Sequence, residues 1–251
     1  MHNAAFQHLG LDAAYHAFDV PPQRLSGAID GVRALGFRQI AVSLPHKQAV
    51  IRHLDRVDEI AAAIGAVNTV TRIGEELVGS NTDHIGAIKA IERVMSPVGR
   101  RAVVLGAGGA ARAVVHGLLR VGATVWVINR TESKARQLAD DLGATGSGTL
   151  ADLGDLPHDI LVNTTSVGLR EDRSPVDARH LSGGSIVMDA VYDPEETRLL
   201  KDAVAAGART VGGKWMLVYQ AAAQLELWSG RAAPVDVMAE AFDRAGDRRH
   251  D

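Results

Sequence analysis

A short apolar run feeding closely spaced glycines and then a helical pattern constrains this chain more than any other stretch: AVVLGAGGAAR, from Ala102 through Gly106, Ala107, Gly108, Gly109, Ala110 and Ala111 to Arg112. Glycine lets the backbone turn sharply and approach a ligand with no Cβ in the way. The helix that follows offers unpaired N–H groups and the positive end of its dipole to an anion. A G-x-G-x-x-A string alone also serves close helix–strand packing. Its context is more specific: the pattern predicts a strand before it, a helix after it and a second strand at Thr124–Ile128, the dimensions of a βαβ unit that holds a dinucleotide pyrophosphate.

The tip of the second strand selects the dinucleotide. An acid there would accept hydrogen bonds from a ribose 2′-hydroxyl and repel a 2′-phosphate. The chain instead reads Ile128-Asn129-Arg130-Thr131-Glu132-Ser133-Lys134. Arg130 offers a planar fork for phosphate oxygens, Thr131 a hydroxyl, and Lys134 a positive charge one turn into the next helix, so NADP is favoured over NAD.

At 251 residues and 46% hydrophobic content, the chain is long enough for two modest domains with sizeable cores. A net charge of −3 with interspersed signs gives no basic face for nucleic acid or an anionic membrane. The absence of cysteine excludes a disulfide scaffold, thiol catalysis and cysteine-bound metal. Of the ten histidines, His46 adjoins Lys47 and His84 follows Asp83, but no pair has metal-ligand spacing on one helix face, so no metal is expected. Nothing at the start reads as a leader, and no apolar run is long enough to span a bilayer. The expectation is a cytoplasmic protein whose polar last residues, 242–251, fray.

Strand and helix patterns alternate through Ala102–Leu105, Ala110–Val121, Thr124–Ile128, Glu132–Leu142, Ile160–Asn163, Ile186–Asp189, Glu195–Ala206 and Arg209–Val211. Such alternation predicts a doubly wound parallel sheet of Rossmann type over residues 97–212. A different α/β segment precedes it: helices at Leu25–Leu35 and Gln48–Val57, strands at Gln39–Leu44, Ala66–Thr71 and Glu76–Gly79, and a linking helix at Ile85–Val94. Two helical stretches, Met216–Trp228 and Val235–Ala245, follow Gly213 and are expected to cross back. Residues 1–96 plus 213–251 then form an α/β substrate domain, with the active site in a cleft between domains.

That first segment concentrates polar groups beside apolar strands, at Val42-Ser43-Leu44-Pro45-His46-Lys47, at Ala66-Val67-Asn68-Thr69 and at Gly79-Ser80-Asn81-Thr82-Asp83. Singly, Lys47 reads as a surface lysine, Asn68 as a turn residue and Asp83 as an N-cap. Together, a lysine and an aspartate suit an enzyme that must move the proton accompanying a hydride between an alcohol and a nicotinamide.

The strings VSLPHK, IGAVNTV, GSNTDHIGA, VLGAGGAARAV, INRT, LVNTTSVG, MDAVYDPEETRLL and MLVYQAAAQLELW run nearly the length of the chain and, in this order, resemble the motifs of shikimate dehydrogenases. The resemblance implies NADP-dependent, reversible reduction of 3-dehydroshikimate to shikimate in aromatic amino-acid biosynthesis, on a two-domain α/β fold with a hinged cleft. By position, Lys47 and Asp83 match the family's catalytic pair. Asn68 and Gln220 match residues that bond ring hydroxyls, Ser43 stands at a substrate-binding threonine, and Tyr192 at a tyrosine lining the substrate site. Gly106, Ala107, Gly108, Gly109, Ala110, Asn129, Arg130, Thr131 and Lys134 match the cofactor loop and the phosphate-selecting turn. Thr164, Ser166 and Val167 fall near the cofactor, and Gly213 and Met216 near the nicotinamide. Family members include monomers and homodimers.

Three departures qualify what the resemblance implies. The family opens with a strand and an S-x-S-P-x-x-H-N loop whose serines bind the substrate carboxylate, and Met1-His2-Asn3 stands at the tail of that motif. Met1 is then either an internal methionine or the start of a shortened paralogue. Without the two serines weak substrate binding is expected, since each charge-assisted bond contributes about 1.5 to 3 kcal/mol. Ser43 replaces the family's threonine, and Trp215 stands where a small residue is common. These changes leave open a shikimate/quinate dehydrogenase paralogue or a non-catalytic NADP-binding homologue.

Overall fold

The computed structural model describes residues 1–247. It divides into two compact units, Met1–Thr82 with Gln220–Asp251, and Asp83–Tyr219.

The first unit begins with α1 (His2–Leu9), which the sequence reading did not anticipate, and α2 (Leu25–Ala34), then β1 (Gln39–Ala41), β2 (Arg56–Val57), α3 (Glu59–Ile64), β3 (Thr69–Ile73) and β4 (Glu76–Ser80). The sheet order is β1-β3-β4-β2, with β1–β3 and β3–β4 antiparallel and β2–β4 parallel. Leu25 and Ile29 of α2 bury against Val42, Val50, Val67, Val70 and Leu77. The helix expected at Gln48–Val57 is instead a 3-10 turn at Ala49–His53 followed by β2. The reason is Asp55, whose carboxylate accepts the Leu77 N–H at 2.7 Å and Arg33 Nη1 at 2.6 Å, drawing this segment onto the edge of β4.

The second unit opens with α4 (Asp83–Glu92) and continues through β5 (Arg101–Leu105), α5 (Gly109–Arg120), β6 (Thr124–Ile128), α6 (Glu132–Leu142), β7 (Gly146–Gly148), β8 (Ile160–Asn163), β9 (Ile186–Asp189), α7 (Arg198–Ala205) and β10 (Arg209–Val211). All six strands are parallel, in the order β10-β9-β8-β5-β6-β7, so the direction of winding reverses between β5 and β8. Strand residues divide by parity, as a sheet covered on both faces requires. Val104, Val125, Val127 and Val162 pack with Ala111, Val114 and Val115 of α5, whereas Val103, Leu105, Leu161 and Val187 pack with Leu199 and Ala203 of α7.

The chain finishes with α8 (Gly213–Ser229) and α9 (Val235–Asp247). Within the first unit α9 packs on α1, and Phe6 meets the Trp228 ring edge-on at 5.7 Å. The tail expected to fray from residue 242 is helical as far as Asp247, and residues 248–251 lie outside the described residues.

The unit boundaries fall at 82/83 and 219/220, not at 96/97 and 212/213. Packing explains both shifts. Ala87, Ile88, Ala90 and Ile91 of α4, and Met216 at the start of α8, are buried in the same core as α5 and β5. A Cβ on Gly117 would sit 3.0 Å from Ile88 Cγ1 and 3.2 Å from the His84 carbonyl, so glycine there lets α4 lie close against α5.

Candidate active site

In the second unit, the strand ends Leu105, Ile128, Asn163 and Asp189 lie in one row of the parallel register. Ligands of such sheets bind beyond this carboxyl edge, where the strand order reverses. Gly106 turns out of β5 at φ 113°, and a side chain there would stand 2.6 Å from Thr164 Oγ1. Only glycine accepts both constraints. Thr164, leaving β8, donates its hydroxyl to the Leu105 carbonyl at 2.6 Å. Ala107 and Ala110 are half-buried, Gly109 is buried and Gly108 exposed. Gly108 caps α5 without a side-chain hydrogen bond, and space for a Cβ at Gly108 is open to 4 Å. The loop therefore presents an uncapped helix N-terminus and a clear approach, which fits a pyrophosphate.

At the tip of β6, Asn129 N–H donates to the Gly148 carbonyl at 3.1 Å, and its side-chain amide closes the turn onto the Thr131 carbonyl at 3.0 Å. Arg130, Thr131 and Lys134 are exposed around that turn. The nearest acid in sequence, Glu132, is engaged by Arg136 at 2.6 Å. A 2′-phosphate fits this charge pattern better than a bare ribose hydroxyl.

Ser166 is exposed and Val167 half-buried on the loop after β8; Tyr192, 40% exposed, is on the loop after β9. Gly213 is buried where an added Cβ would run into the Val191 and Ala190 carbonyls, and Met216 is buried in the core. Trp215 is covered by Arg93, whose guanidinium lies 3.4 Å from the ring centroid and whose Nη1 donates to Tyr219 Oη at 3.2 Å. Asp83 is buried in the first turn of α4. Among the described residues no group of three His, Asp or Glu could hold a metal ion, and no helix is long and apolar enough to cross a membrane.

The first unit gathers Ser43, Lys47, Asn68 and Gln220. The loop after β1 is attached to the segment before β3 near both its ends: Val42 N–H donates to the Asn68 carbonyl at 2.7 Å, and Val67 N–H to the Lys47 carbonyl at 2.8 Å. Ser43 is exposed and Lys47 half-buried on this loop. Asn68 is 2% exposed and its amide is fully oriented. Its Oδ1 accepts from the Thr82 N–H and the Thr69 hydroxyl at 2.8 and 2.7 Å, and its Nδ2 donates to Gln220 Oε1 at 3.1 Å. The sequence reading missed Gln224, one turn beyond Gln220, whose Nε2 donates to Thr69 Oγ1 at 3.0 Å and the Asn68 carbonyl at 3.3 Å. The i, i+4 spacing of the two glutamines was the available signal.

Comparison with known proteins agrees along the chain. Residues 1–70 match the shikimate dehydrogenase substrate binding domain, residues 89–168 the shikimate / quinate 5-dehydrogenase family, and residues 213–241 the shikimate 5'-dehydrogenase C-terminal domain. The shikimate dehydrogenase (NADP(+)) of Haloarcula marismortui is 48% identical over 242 residues, 95% of this chain and 90% of that one. The crystal structure of the Thermus thermophilus shikimate 5-dehydrogenase in complex with NADP(H) and shikimate is 39% identical, with TM-score 0.92, covering 97% of this chain and 92% of that one. The ligand-free 5-ketofructose reductase of a Gluconobacter strain is 38% identical, with TM-score 0.87 over 97% of this chain and 91% of that one. With the parallel sheet, the glycine turn and the Asn68 cluster all in place, these matches establish that the chain belongs to the shikimate dehydrogenase family.

Proposed function

We propose that this chain catalyses the NADP-dependent, reversible reduction of 3-dehydroshikimate to shikimate. The observation that carries the reading is the meeting of Asn68 and Gln220, with the loop of Ser43 and Lys47 hydrogen-bonded to the segment of Asn68. The side-chain contact of Asn68 with Gln220, and the backbone bonds that tie the loop of Ser43 and Lys47 to the segment before β3, support a site in which these four side chains bond a polyhydroxylated ring.

When bound, NADPH supplies the hydride. The Gly106–Ala110 turn holds the pyrophosphate, and Arg130, Thr131 and Lys134, with Asn129 shaping the turn, hold the 2′-phosphate. Lys47, as ammonium, donates the proton that completes the alcohol, and in the reverse direction takes it back. Asp83 orients the reacting hydroxyl by accepting its hydrogen bond. Asn68, Gln220 and Ser43 bind the other hydroxyls, and Tyr192 lines the substrate site. Thr164, Ser166 and Val167 would lie near the cofactor, and Gly213 and Met216 would approach its nicotinamide. The first unit serves as the substrate-binding part and the second, which also carries α4 and the start of α8, as the nucleotide-binding part, in a cytoplasmic enzyme acting as monomer or homodimer.

The test is cofactor reduction by purified protein with shikimate or quinate, each with NADP or NAD. Shikimate with NADP is expected to give the highest kcat/KM. A higher value for quinate would assign the chain to the quinate branch, and no turnover with either would leave a nucleotide-binding homologue.

A further inference from the structure

Asn163, Asp189 and Thr197 are all completely buried in the second unit, although each is polar and one is an acid. Asn163 ends β8 and Asp189 ends β9, side by side in register. Asn163 Nδ2 donates to Asp189 Oδ1 at 2.9 Å, and the Thr197 hydroxyl donates to Asp189 Oδ2 at 2.7 Å. Asn163 and Asp189 also fix backbone of their own loops. Asn163 Oδ1 accepts the Thr165 N–H and hydroxyl at 3.0 and 2.7 Å, and its Nδ2 reaches the Val167 carbonyl at 3.2 Å. Asp189 Oδ1 accepts the Val191 N–H at 3.0 Å. Burial pushes the Asp189 carboxyl above its ordinary pKa, while the three donors pull it back.

A buried acid is costly unless its neighbours satisfy it, and hydrophobic strand ends would close a sheet edge at least as stably. What this trio does that apolar residues would not is fix two loops relative to each other. One loop bears Thr164, Ser166 and Val167; the other bears Tyr192. We infer that Asp189, with Asn163 and Thr197, is a positioning residue that couples the cofactor-side loop after β8 to the substrate-side loop after β9. This rests on the proposed function for the roles of the two loops. Two further links join the loops at Arg170 and Asp193: the Arg170 N–H donates to the Asp193 carbonyl at 3.0 Å, and at the surface Arg170 Nε donates to Asp193 Oδ2 at 2.9 Å, with Arg170 76% exposed, so Arg170→Ala removes only the surface pair.

The test measures backbone hydrogen exchange and NADP affinity by titration, neither of which needs turnover. In Asp189→Ala, exchange is expected to rise about tenfold in both loops together, residues 164–168 and 190–197, with a rise of similar size in Kd for NADP. Asp189→Asn should behave as wild type in both measurements, because Oδ1 keeps its donors and the Thr197 hydroxyl can reverse to accept. Arg170→Ala should leave both unchanged. If Asp189→Ala does not fold, Thr197→Val serves instead, with the same coupled rise expected. Exchange rising in one loop only, or a Kd for NADP within about twofold of wild type in the folded variant, overturns the inference. Absence of shikimate oxidation by the wild-type protein would instead count against the functional reading, and the exchange result would stand apart from it.

Discussion

Asn68 and Gln220, 152 positions apart in sequence, share a hydrogen bond of 3.1 Å from Asn68 Nδ2 to Gln220 Oε1. Because Asn68 Oδ1 is fully engaged by Thr82 and Thr69, and Nδ2 also donates to Thr82 Oγ1 at 3.0 Å, the amide is fixed in orientation, and a ring hydroxyl would be bonded in exchange for one of the two Nδ2 hydrogen bonds. Asn68→Ala should therefore act twice. It should raise KM for shikimate about tenfold, with KM for NADP unchanged. It should also cost about 1 to 3 kcal/mol of stability, because the buried Thr82 N–H loses its acceptor. Steady-state kinetics and urea unfolding separate the two effects, and a stability loss with normal KM would reduce Asn68 to a structural residue.

Lys47 has a different expected signature, since a proton donor acts on turnover. Lys47→Ala should lower kcat by about a hundred- to ten-thousand-fold. Its half-buried position on a loop held by backbone bonds predicts an unchanged fold. Circular dichroism and thermal unfolding alongside the assay decide the matter: a folded variant with intact kcat would remove Lys47 from the mechanism.

Cofactor choice is expected to depend on the β6 tip. Arg130 is exposed there, and the adjacent acid Glu132 is paired with Arg136. Arg130→Ala should lower kcat/KM for NADP roughly ten- to a hundredfold, the value of one charge-assisted hydrogen bond, and leave NAD nearly unaffected. Equal losses with both cofactors would place Arg130 away from the 2′-phosphate.

The nucleotide-binding unit was legible because its signals are local and mutually consistent. Valine-rich strands, glycine turns and amphipathic helices of the right length recur, and β6, α6, β8, β9 and β10 have the bounds read from the pattern. The first unit was less so. β2 has two residues, and its place depends on Asp55 finding Leu77 and Arg33, contacts that no periodicity records. Helix α7 begins at Arg198, three residues later than its pattern suggests, because Thr197 caps it while held by Asp189. Of the candidate site, the residue types were readable and the Asn68–Gln220 meeting was not, since it depends on how α8 packs within the unit.

Asp159 predicts a pH dependence. Hydrogen bonds from the Arg101 side chain and backbone N–H, the latter at 2.9 Å, lower its pKa to about 2. A carboxyl depressed in the folded state contributes stability above the ordinary carboxylate range, near 4, and loses it as pH falls toward 2. With Arg101 half exposed the pair is screened, so Asp159→Asn should destabilise by only about 1 kcal/mol at pH 7. Urea unfolding across pH should show wild type and variant converging near pH 2. A gap constant with pH would trace the effect to lost backbone bonding and not to charge.

Two glycines in the candidate site ask opposite questions of the same substitution. At Gly108 the backbone is extended, at φ −90° and ψ −172°, a conformation alanine adopts freely, and the added methyl would meet no protein atom within 4 Å. Gly108→Ala should then leave stability within about 0.5 kcal/mol. Yet the methyl would stand where the pyrophosphate approaches the start of α5, so Kd for NADP should rise at least tenfold. At Gly213 the methyl would be driven against the Val191 carbonyl, and overpacking of this kind costs about 1 to 3 kcal/mol. Thermal unfolding and NADP titration of both variants should therefore give loss of affinity without loss of stability at 108, and loss of stability first at 213. Unchanged NADP affinity in a folded Gly108→Ala protein would mean that the dinucleotide does not approach this turn, and the assignment of Gly106–Ala110 would fall with it.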